Sequence, residues 1–254
     1  MPVMKIHGAD LFYAAGGADT DLSLVLIHGS GATHESYPPE LFSIPGARVI
    51  APDLPGHGQS QGPFPESVAG YAEVVSGLVA ALRLSKVVVM GHSLGGAVCL
   101  TLCLQKPGWL KGAVLMGTGA RLRVNPMIIE GLSKDYLGAV SMMDSFLFAS
   151  EAPAELRETS RDHMKKADPQ AVINDFRACN AFDVMARLSE IAVPCQVISA
   201  DQDVLTAPKY GQYLADHIPG AVHSVIQGAG HMMAVEKPGE VTGIVESFLA
   251  RLSA

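Results

Sequence analysis

Short apolar runs alternate with longer helical patterns along most of the chain, and this alternation limits the possible folds more than any other feature. The apolar runs are predicted as strands at Leu22–Ile27, 48–51, 86–90, 113–116, 195–199 and 223–226. Helical patterns occupy 66–84, Leu94–Gln105, 209–217 and 238–252. Several strands are β-branched and apolar throughout, which is typical of parallel strands that are buried on both faces. With an antiparallel edge hairpin at 4–7 and 10–14, we expect an α/β fold with a mostly parallel eight-stranded sheet flanked by helices.

The interval 120–187 interrupts this alternation, because it contains no strand pattern. Asn125-Pro126 is typical of a helix cap followed by proline at the first helical position, and Ser150 and Asp168 also look like helix starts. The interval is too long for a connection between strands. We therefore predict a helical cap, or lid, at 120–187, inserted into one core domain formed by 1–119 and 188–254.

Composition excludes several classes of protein. Of the 254 residues, 48% are hydrophobic and 17% are charged, which excludes intrinsic disorder and coiled coils. The net charge is −7 and the longest basic run is the pair Lys165-Lys166, so we expect no nucleic-acid partner. No apolar run reaches membrane-spanning length, and Lys5 and His7 interrupt the place of a signal peptide. We expect a cytoplasmic monomer or homodimer without membrane contact.

The segment Gly-His-Ser-Leu-Gly-Gly at 91–96 is the strongest chemical signal. It follows the predicted strand 86–90 and opens the predicted helix Leu94–Gln105, which is the strand–turn–helix context that a Gly-x-Ser-x-Gly nucleophile elbow requires. The turn strains the backbone of Ser93 and lifts its Oγ above the sheet. We therefore predict that Ser93 is a nucleophile.

A serine hydroxyl needs a base, and the base needs an acid to hold its tautomer. His231 follows the last predicted strand on a glycine-rich loop and is the best candidate for the base. Asp201 and Asp203 directly follow the strand 195–199, at the sheet edge where open α/β folds bind ligands. One of the two aspartates is expected to be the acid.

With these motifs in place, the chain resembles the α/β-hydrolase superfamily over nearly its whole length. The serine–acid–histidine order is that of this superfamily. The segment 28–31 is similar to its His-Gly-x oxyanion loop, and 53–60 is similar to its Asp-x-x-Gly-x-Gly-x-Ser loop. The resemblance implies an oxyanion hole formed by the backbone N–H groups of Ser30 and Leu94. It also places Asp203 at the family's acid position, although Ala200 replaces the usual glycine, and leaves Asp201 to cap the loop.

The remaining histidines receive structural interpretations. We expect His28 and His57 to orient loops, Asp53 to fix its own loop, and His92 to be a packing residue. No histidine spacing typical of metal sites occurs, and the glycine-rich segments lack the pattern of a nucleotide-binding loop. The sequence therefore predicts neither a metal nor a cofactor.

Four apolar residues of the insertion are candidates for a substrate-binding pocket: Met142, Met143, Phe146 and Phe148. They either line an acyl pocket or pack the helices of the cap against each other, and the sequence leaves both interpretations open.

The predicted function is that of a cofactor-independent serine hydrolase, a carboxylesterase for small-molecule esters of small or medium apolar acids. Three alternatives remain open. One is carbon–carbon bond hydrolysis of ring-cleavage products, and another is perhydrolase or haloperoxidase activity with the same triad. The third is a non-catalytic ligand receptor on the same fold.

Overall fold

Residues 3–253 are described by the structure, a computed structural model. Within this range, eight strands form one sheet in the order β1-β2-β4-β3-β5-β6-β7-β8. Their bounds are β1 Val3–Ile6, β2 Ala9–Gly17, β3 Leu22–Ile27, β4 Arg48–Pro52, β5 Lys86–His92, β6 Leu110–Met116, β7 Cys195–Ala200 and β8 Val222–Ile226. Strand β2 pairs antiparallel with β1 and with β4, and the remaining pairs are parallel. This confirms the predicted edge hairpin and the mostly parallel sheet.

Both faces of the sheet are covered, as continuous apolar strands require. Successive residues of β5 point to opposite faces, so that Val87 and Val89 join one hydrophobic cluster while Val88 and Met90 join the other. The first cluster includes side chains of helices α1 (Val68–Ala81), α2 (Leu94–Gln105) and α7 (Pro208–His217). The second includes side chains of α8 (Met233–Glu236) and α9 (Pro238–Ser253). None of the helices in the described range is long and apolar enough to cross a membrane.

Four α-helices lie between β6 and β7, followed by a short 3-10 helix. The α-helices are α3 (Pro126–Lys134), α4 (Tyr136–Leu147), α5 (Ala154–Lys166) and α6 (Pro169–Ala181), and the 3-10 helix is Met185–Glu190. Asn125 and Asp168 cap α3 and α6 as expected, since their side chains accept from the backbone two residues later. The expected helix start at Ser150 is wrong, because α5 begins only after Pro153. Asp135 both ends α3 and caps α4, a break that the sequence interpretation did not include.

The segment 120–187, here called the insertion, packs in two different ways. Side chains of α3, α4, α5 and α6 form a separate small hydrophobic cluster of their own. Ala178 and Cys179 of α6, with Phe182 after it, instead belong to the large cluster on one face of the sheet. Helix α6 is therefore anchored in the core of the protein, whereas the other three helices pack mainly on one another.

Candidate active site

Ser93 lies in a sharp turn between β5 and α2. Its backbone has φ 54° and ψ −114°, a strained conformation for a residue with a side chain. Gly91 and Gly95 permit the turn, because a Cβ on Gly91 would overlap the Gly95 carbonyl and a Cβ on Gly95 would overlap the Ile27 carbonyl. The Gly-x-Ser-x-Gly spacing is thus explained by the close approach of strand, helix and the neighbouring strand β3.

The backbone on both sides of this turn is fixed by hydrogen bonds from β6 and the loop after it. The Ser93 N–H donates to the Met116 carbonyl at 3.0 Å, and the Thr118 hydroxyl donates to the Ser93 carbonyl at 2.9 Å. Leu94 is the first residue of α2, so its N–H has no partner within the helix. The N–H is available to an acceptor beside Ser93.

His231 lies on the loop after β8, and its orientation is set by Asp203. Nδ1 of His231 is 2.8 Å from Oδ2 of Asp203. The carboxylate also accepts from the backbone N–H groups of Leu205 and Thr206 and from the Thr206 hydroxyl. Burial alone would raise the pKa of Asp203, but His231 and these donors outweigh burial and hold that pKa well below its ordinary value. An ionised acceptor therefore faces Nδ1, which must carry the proton and leaves Nε2 as the basic nitrogen.

The two candidate acids are separated by the turn after β7. Asp201 does not contact His231 in the structure; its Oδ1 accepts from the Gly228 N–H at 2.7 Å instead. The geometry brings Asp203 to the histidine. Asp201 does not cap its own loop as expected but binds the loop after β8, 27 residues further along the chain.

His92 contributes more than packing, which corrects the expectation for this residue. Its Nε2 lies 2.9 Å from the His231 carbonyl, to which it donates, and the two rings are 4.5 Å apart. Burial, reinforced by the nearby His231, lowers the pKa of His92 to about 3. A neutral ring next to the elbow thus fixes the backbone of the predicted base.

The segment 28–31 after β3, here called the glycine loop, lies beside the elbow, since a Cβ on Gly29 would be 3.3 Å from Ser93 Cβ. Gly29, Ser30 and Gly31 line the same cavity as Ser93 and His231. Among the hydrogen bonds of residues 3–253, none uses the N–H of Ser30 or that of Leu94. Both predicted oxyanion donors are therefore unpaired in the protein.

The cavity has a volume of about 380 Å³ and a mostly apolar lining. This volume is at the lower end for small-molecule sites. Its apolar wall comes largely from the insertion and includes Leu122, Val124, Ile128, Met143, Phe146, Leu147, Met164 and Phe176. Arg121 and Arg123, which are exposed, also border it. The insertion thus forms the wall that faces Ser93 across the cavity.

Two of the four predicted pocket residues are in the lining and two are not. Met143 and Phe146 line the cavity. Met142 does not line the cavity, because its side chain leaves α4 in a different direction and is 53% exposed. Phe148 lies just beyond α4, where it is buried beneath the Arg157 guanidinium. The expectation is therefore corrected for Met142 and Phe148.

Comparison with known proteins agrees with this geometry. The profile described as the alpha/beta hydrolase family matches residues 24–243. The chain belongs to the α/β hydrolase family. Together with its similarity to the esterases below, this shows that it is a hydrolase.

Three similar proteins illustrate the relationship of this α/β hydrolase to others. A solved structure described as a thermophilic esterase is 35% identical, with a TM-score of 0.87, and the match covers 99% of this chain and 97% of that one. A thermophilic esterase from Thermogutta terrifontis, solved with malate bound, is 25% identical over all of both chains, with a TM-score of 0.91. A pimeloyl-(acyl-carrier protein) methyl ester esterase of Neisseria meningitidis serogroup B is 27% identical over 84% of this chain and 87% of its own.

His28 and Asp53 of this α/β hydrolase hold the loops after β3 and β4 by hydrogen bonds to backbone groups. His28 Nδ1 donates to the Gly29 carbonyl and its Nε2 accepts from the Leu54 N–H, which is possible only for a neutral ring. Burial and the nearby His57 lower the pKa of His28 to about 4. Asp53 fixes its own loop, as expected, by accepting from the backbone N–H groups of His34 and Gln59.

Two carboxylates near the site, one buried and one half-buried, were not identified from the sequence. Asp175 of α6 accepts a hydrogen bond from the Gly31 N–H of the glycine loop. Glu236 of α8 accepts one from the Gly230 N–H in the segment 228–232, here called the histidine loop. Asp175 lies three and four residues from the buried Val172, Ala171, Ala178 and Cys179, so a charge on the apolar face of α6 was a usable signal. Within residues 3–253, no cluster of three or more His, Cys, Asp or Glu side chains is arranged to hold a metal ion.

Proposed function

We propose that this α/β hydrolase is a serine esterase that acts on small-molecule esters of small or medium apolar acids. The observation that carries the proposal is that Ser93, on a strained elbow, and His231, bonded to Asp203, open onto one mostly apolar cavity. The esterase descriptions of the similar proteins support the same class of reaction.

In the proposed mechanism, Ser93 Oγ attacks the ester carbonyl while His231 Nε2 takes its proton. The oxyanion that forms is bound by the free N–H groups of Ser30 and Leu94, which are preorganised and need no rearrangement. His231 then returns the proton to the leaving alcohol, and Asp203 stabilises the imidazolium between the two transfers. Water attacks the acyl-enzyme by the same route and releases the acid.

We further propose that the insertion 120–187 acts as a cap that selects the substrate, on a core domain formed by 1–119 and 188–254. Support comes from its helices, which supply Met143, Phe146 and Met164 to the apolar wall of the cavity. A volume of about 380 Å³ limits the acid and alcohol groups to a small or medium size.

The proposal is tested with p-nitrophenyl esters from acetate to decanoate, measured for the wild type and for Ser93→Ala. Removing the nucleophile of a serine protease lowers kcat by roughly 10⁶, so we expect no measurable turnover by Ser93→Ala at nearly unchanged melting temperature. An organophosphonate should label the wild type once, at Ser93. Residual activity above a few per cent, or labelling elsewhere, would refute the role of Ser93. An inactive wild type would favour a non-catalytic receptor.

A further inference from the structure

The carboxylate of Asp175 has no part in the proposed mechanism, yet it is among the most completely enclosed charged groups of the described chain. Asp175 is 0% exposed to solvent. Three donors from three separate segments point at it: the Gly31 N–H at 3.0 Å and His57 Nε2 at 2.8 Å on Oδ2, and the Tyr71 hydroxyl at 2.6 Å on Oδ1. Burying a carboxylate is costly unless such partners compensate it, so this network requires a specific arrangement of all four groups.

We propose that Asp175 is a positioning residue, which holds the glycine loop so that the Ser30 N–H points into the oxyanion hole. This inference rests on the proposed function, because it assigns the support of one of its two oxyanion donors. The Gly31 N–H belongs to the peptide that directly follows Ser30. By accepting from this N–H, Asp175 fixes the plane of the Ser30–Gly31 peptide. This blocks the backbone rotation at Ser30 that would turn the Ser30 N–H away from the oxyanion hole.

The insertion also encloses the loop sterically at this point. Gly31 has φ +66°, and a Cβ there would lie 3.2 Å from Met164 Cε of α5 and 3.4 Å from Val172 Cγ1 of α6. The glycine loop therefore packs against α5 and α6 of the insertion, and the Gly31 N–H is also hydrogen-bonded to Asp175 of α6. Because α6 is anchored in the core cluster, Asp175 is a fixed reference point for the loop.

His57 removes an electrostatic conflict that the carboxylate would otherwise create. A lone anion near the oxyanion hole would oppose the negative charge of the transition state. His57 faces only acceptors, the Asp175 carboxylate with Nε2 and the Pro55 carbonyl with Nδ1, so both ring nitrogens donate and the ring is cationic. Burial works against this charge, but attraction to Asp175 outweighs it and raises the pKa of His57. The pair supplies a fixed hydrogen-bond acceptor with no net charge.

The experiment compares Asp175→Ala with Asp175→Asn and with the matched control Tyr71→Phe. Tyr71→Phe removes a hydrogen bond to the same carboxylate without touching the glycine loop. Loss of a whole oxyanion donor costs about 10²–10³ in kcat, so we expect Asp175→Ala, which displaces one, to lower kcat about 10-fold to 100-fold with KM changed less than about threefold. The amide oxygen of Asp175→Asn still accepts from Gly31 and should restore most of kcat. Tyr71→Phe should stay within about twofold of the wild type.

A second measurement, amide hydrogen exchange of the segment 28–33, needs no substrate. Asp175→Ala should exchange this segment at least about tenfold faster than the wild type, whereas Tyr71→Phe should not. If Asp175→Ala does not fold, Asp175→Glu, which keeps the charge pair but moves the acceptor, must lower kcat at constant KM.

Each other outcome overturns the inference. These outcomes are unchanged exchange at 28–33, a loss confined to KM, an equal loss of kcat in Tyr71→Phe, or Asp175→Asn as poor as Asp175→Ala. Wild-type protein without Ser93-dependent hydrolysis would instead refute the proposed function, which separates the two failures.

Discussion

Carboxylates from different parts of the molecule hold the two loops beside Ser93: the insertion supplies the one at the glycine loop, and the core supplies Asp201 and Glu236 at the histidine loop. The glycine loop is bonded to Asp175, which belongs to the insertion. The histidine loop is bonded to Glu236 of the core helix α8, whose other oxygen accepts from the N–H of Ala149, in the connection between α4 and α5. On one side the insertion supports the active site, and on the other side the core supports the insertion.

The chemical surroundings of the two loops differ in the same way. Beside the glycine loop, the neutral His28 and the cationic His57 have ring centres only 5.1 Å apart. Beside the histidine loop, His92 is neutral and Glu236 is half-buried, with a pKa that burial raises. The glycine side therefore depends on a buried ion pair, whereas the histidine side depends on the neutral His92 and on the Glu236 and Asp203 carboxylates, neither of which, among residues 3–253, is paired with a buried cation in the same way.

The largest expected effect concerns the acid on the histidine side. Replacing the triad aspartate of a serine protease by asparagine lowers kcat by roughly 10⁴. We expect a comparable loss in Asp203→Asn, because the amide no longer stabilises the imidazolium or selects its tautomer. The protein should stay folded, but its melting temperature should fall, because the contacts that lower the pKa of Asp203 also make its charge stabilise the fold.

Asp201→Asn is the matched control, since it alters a carboxylate two residues away on the same turn. Within residues 3–253, the Asp201 side chain accepts only from the Gly228 N–H, and an asparagine oxygen can still accept there, so the substitution should cost about 1 kcal/mol of stability at most. Activity should stay within a few-fold of the wild type. The reverse pattern of activities would transfer the role of the acid to Asp201.

Next in size is the pH dependence of the free energy of unfolding. Its sign is opposite for buried histidines with a lowered pKa and for those with a raised pKa. The pKa values of His28 and His92, lowered to about 4 and about 3, give stability that is present above pH 6.5 and lost as the pH falls. For His28 this is up to roughly 3 kcal/mol. The raised pKa of His57 gives stability that is present below pH 6.5 and lost as the pH rises through that raised value.

Melting temperatures measured from about pH 4 to about pH 9 should therefore decline on both sides of a maximum near neutrality. Asp175→Asn removes the partner that raises the pKa of His57, so the alkaline decline should become shallower while the acid decline remains. The part that stays comes from His34, whose pKa is raised by its hydrogen bond to Asp53. His217→Gln, at an exposed histidine, should leave both limbs unchanged. An alkaline decline as steep in Asp175→Asn as in the wild type would show that the ion pair does not contribute to it.

The sequence predicted the histidine side more completely than the glycine side. Ser93 and His231 sit at the ends of strands with recognisable local signals, and the fold brings those ends together at one edge of the sheet. Asp175 has no such signal, because its partners Gly31 and His57 are 144 and 118 residues away in the sequence. Only the packing of α6 against the core brings them together.

The residues of the cavity wall show a second limit of the sequence. Met142 and Met143 have similar side chains, but neighbours on a helix point about 100° apart, so one of them can line the cavity while the other faces solvent. Which one does so depends on how α4 is rotated against α3 and α5, and no local pattern reports that rotation. His92 was underestimated for a related reason, since its partner, the His231 carbonyl, lies 139 residues further along the chain.

The smallest expected effect is that of Glu236→Gln, and it tests whether the histidine loop depends on this carboxylate. The substitution turns one of the two oxygens into an N–H₂ group, so either Gly230 or Ala149 loses its acceptor. That loss is worth about 1–3 kcal/mol for a buried donor, but relief of the burial that disfavours the Glu236 charge offsets part of it. Since Asp203, Thr206 and His92 still hold His231, kcat should change less than about threefold while the melting temperature falls slightly. Glu240→Gln, at an exposed position of the neighbouring helix α9, is the matched control and should change neither quantity. A kcat loss beyond tenfold would mean that the histidine loop needs its carboxylate as much as we expect the glycine loop to need Asp175, and the contrast between the two sides would fail.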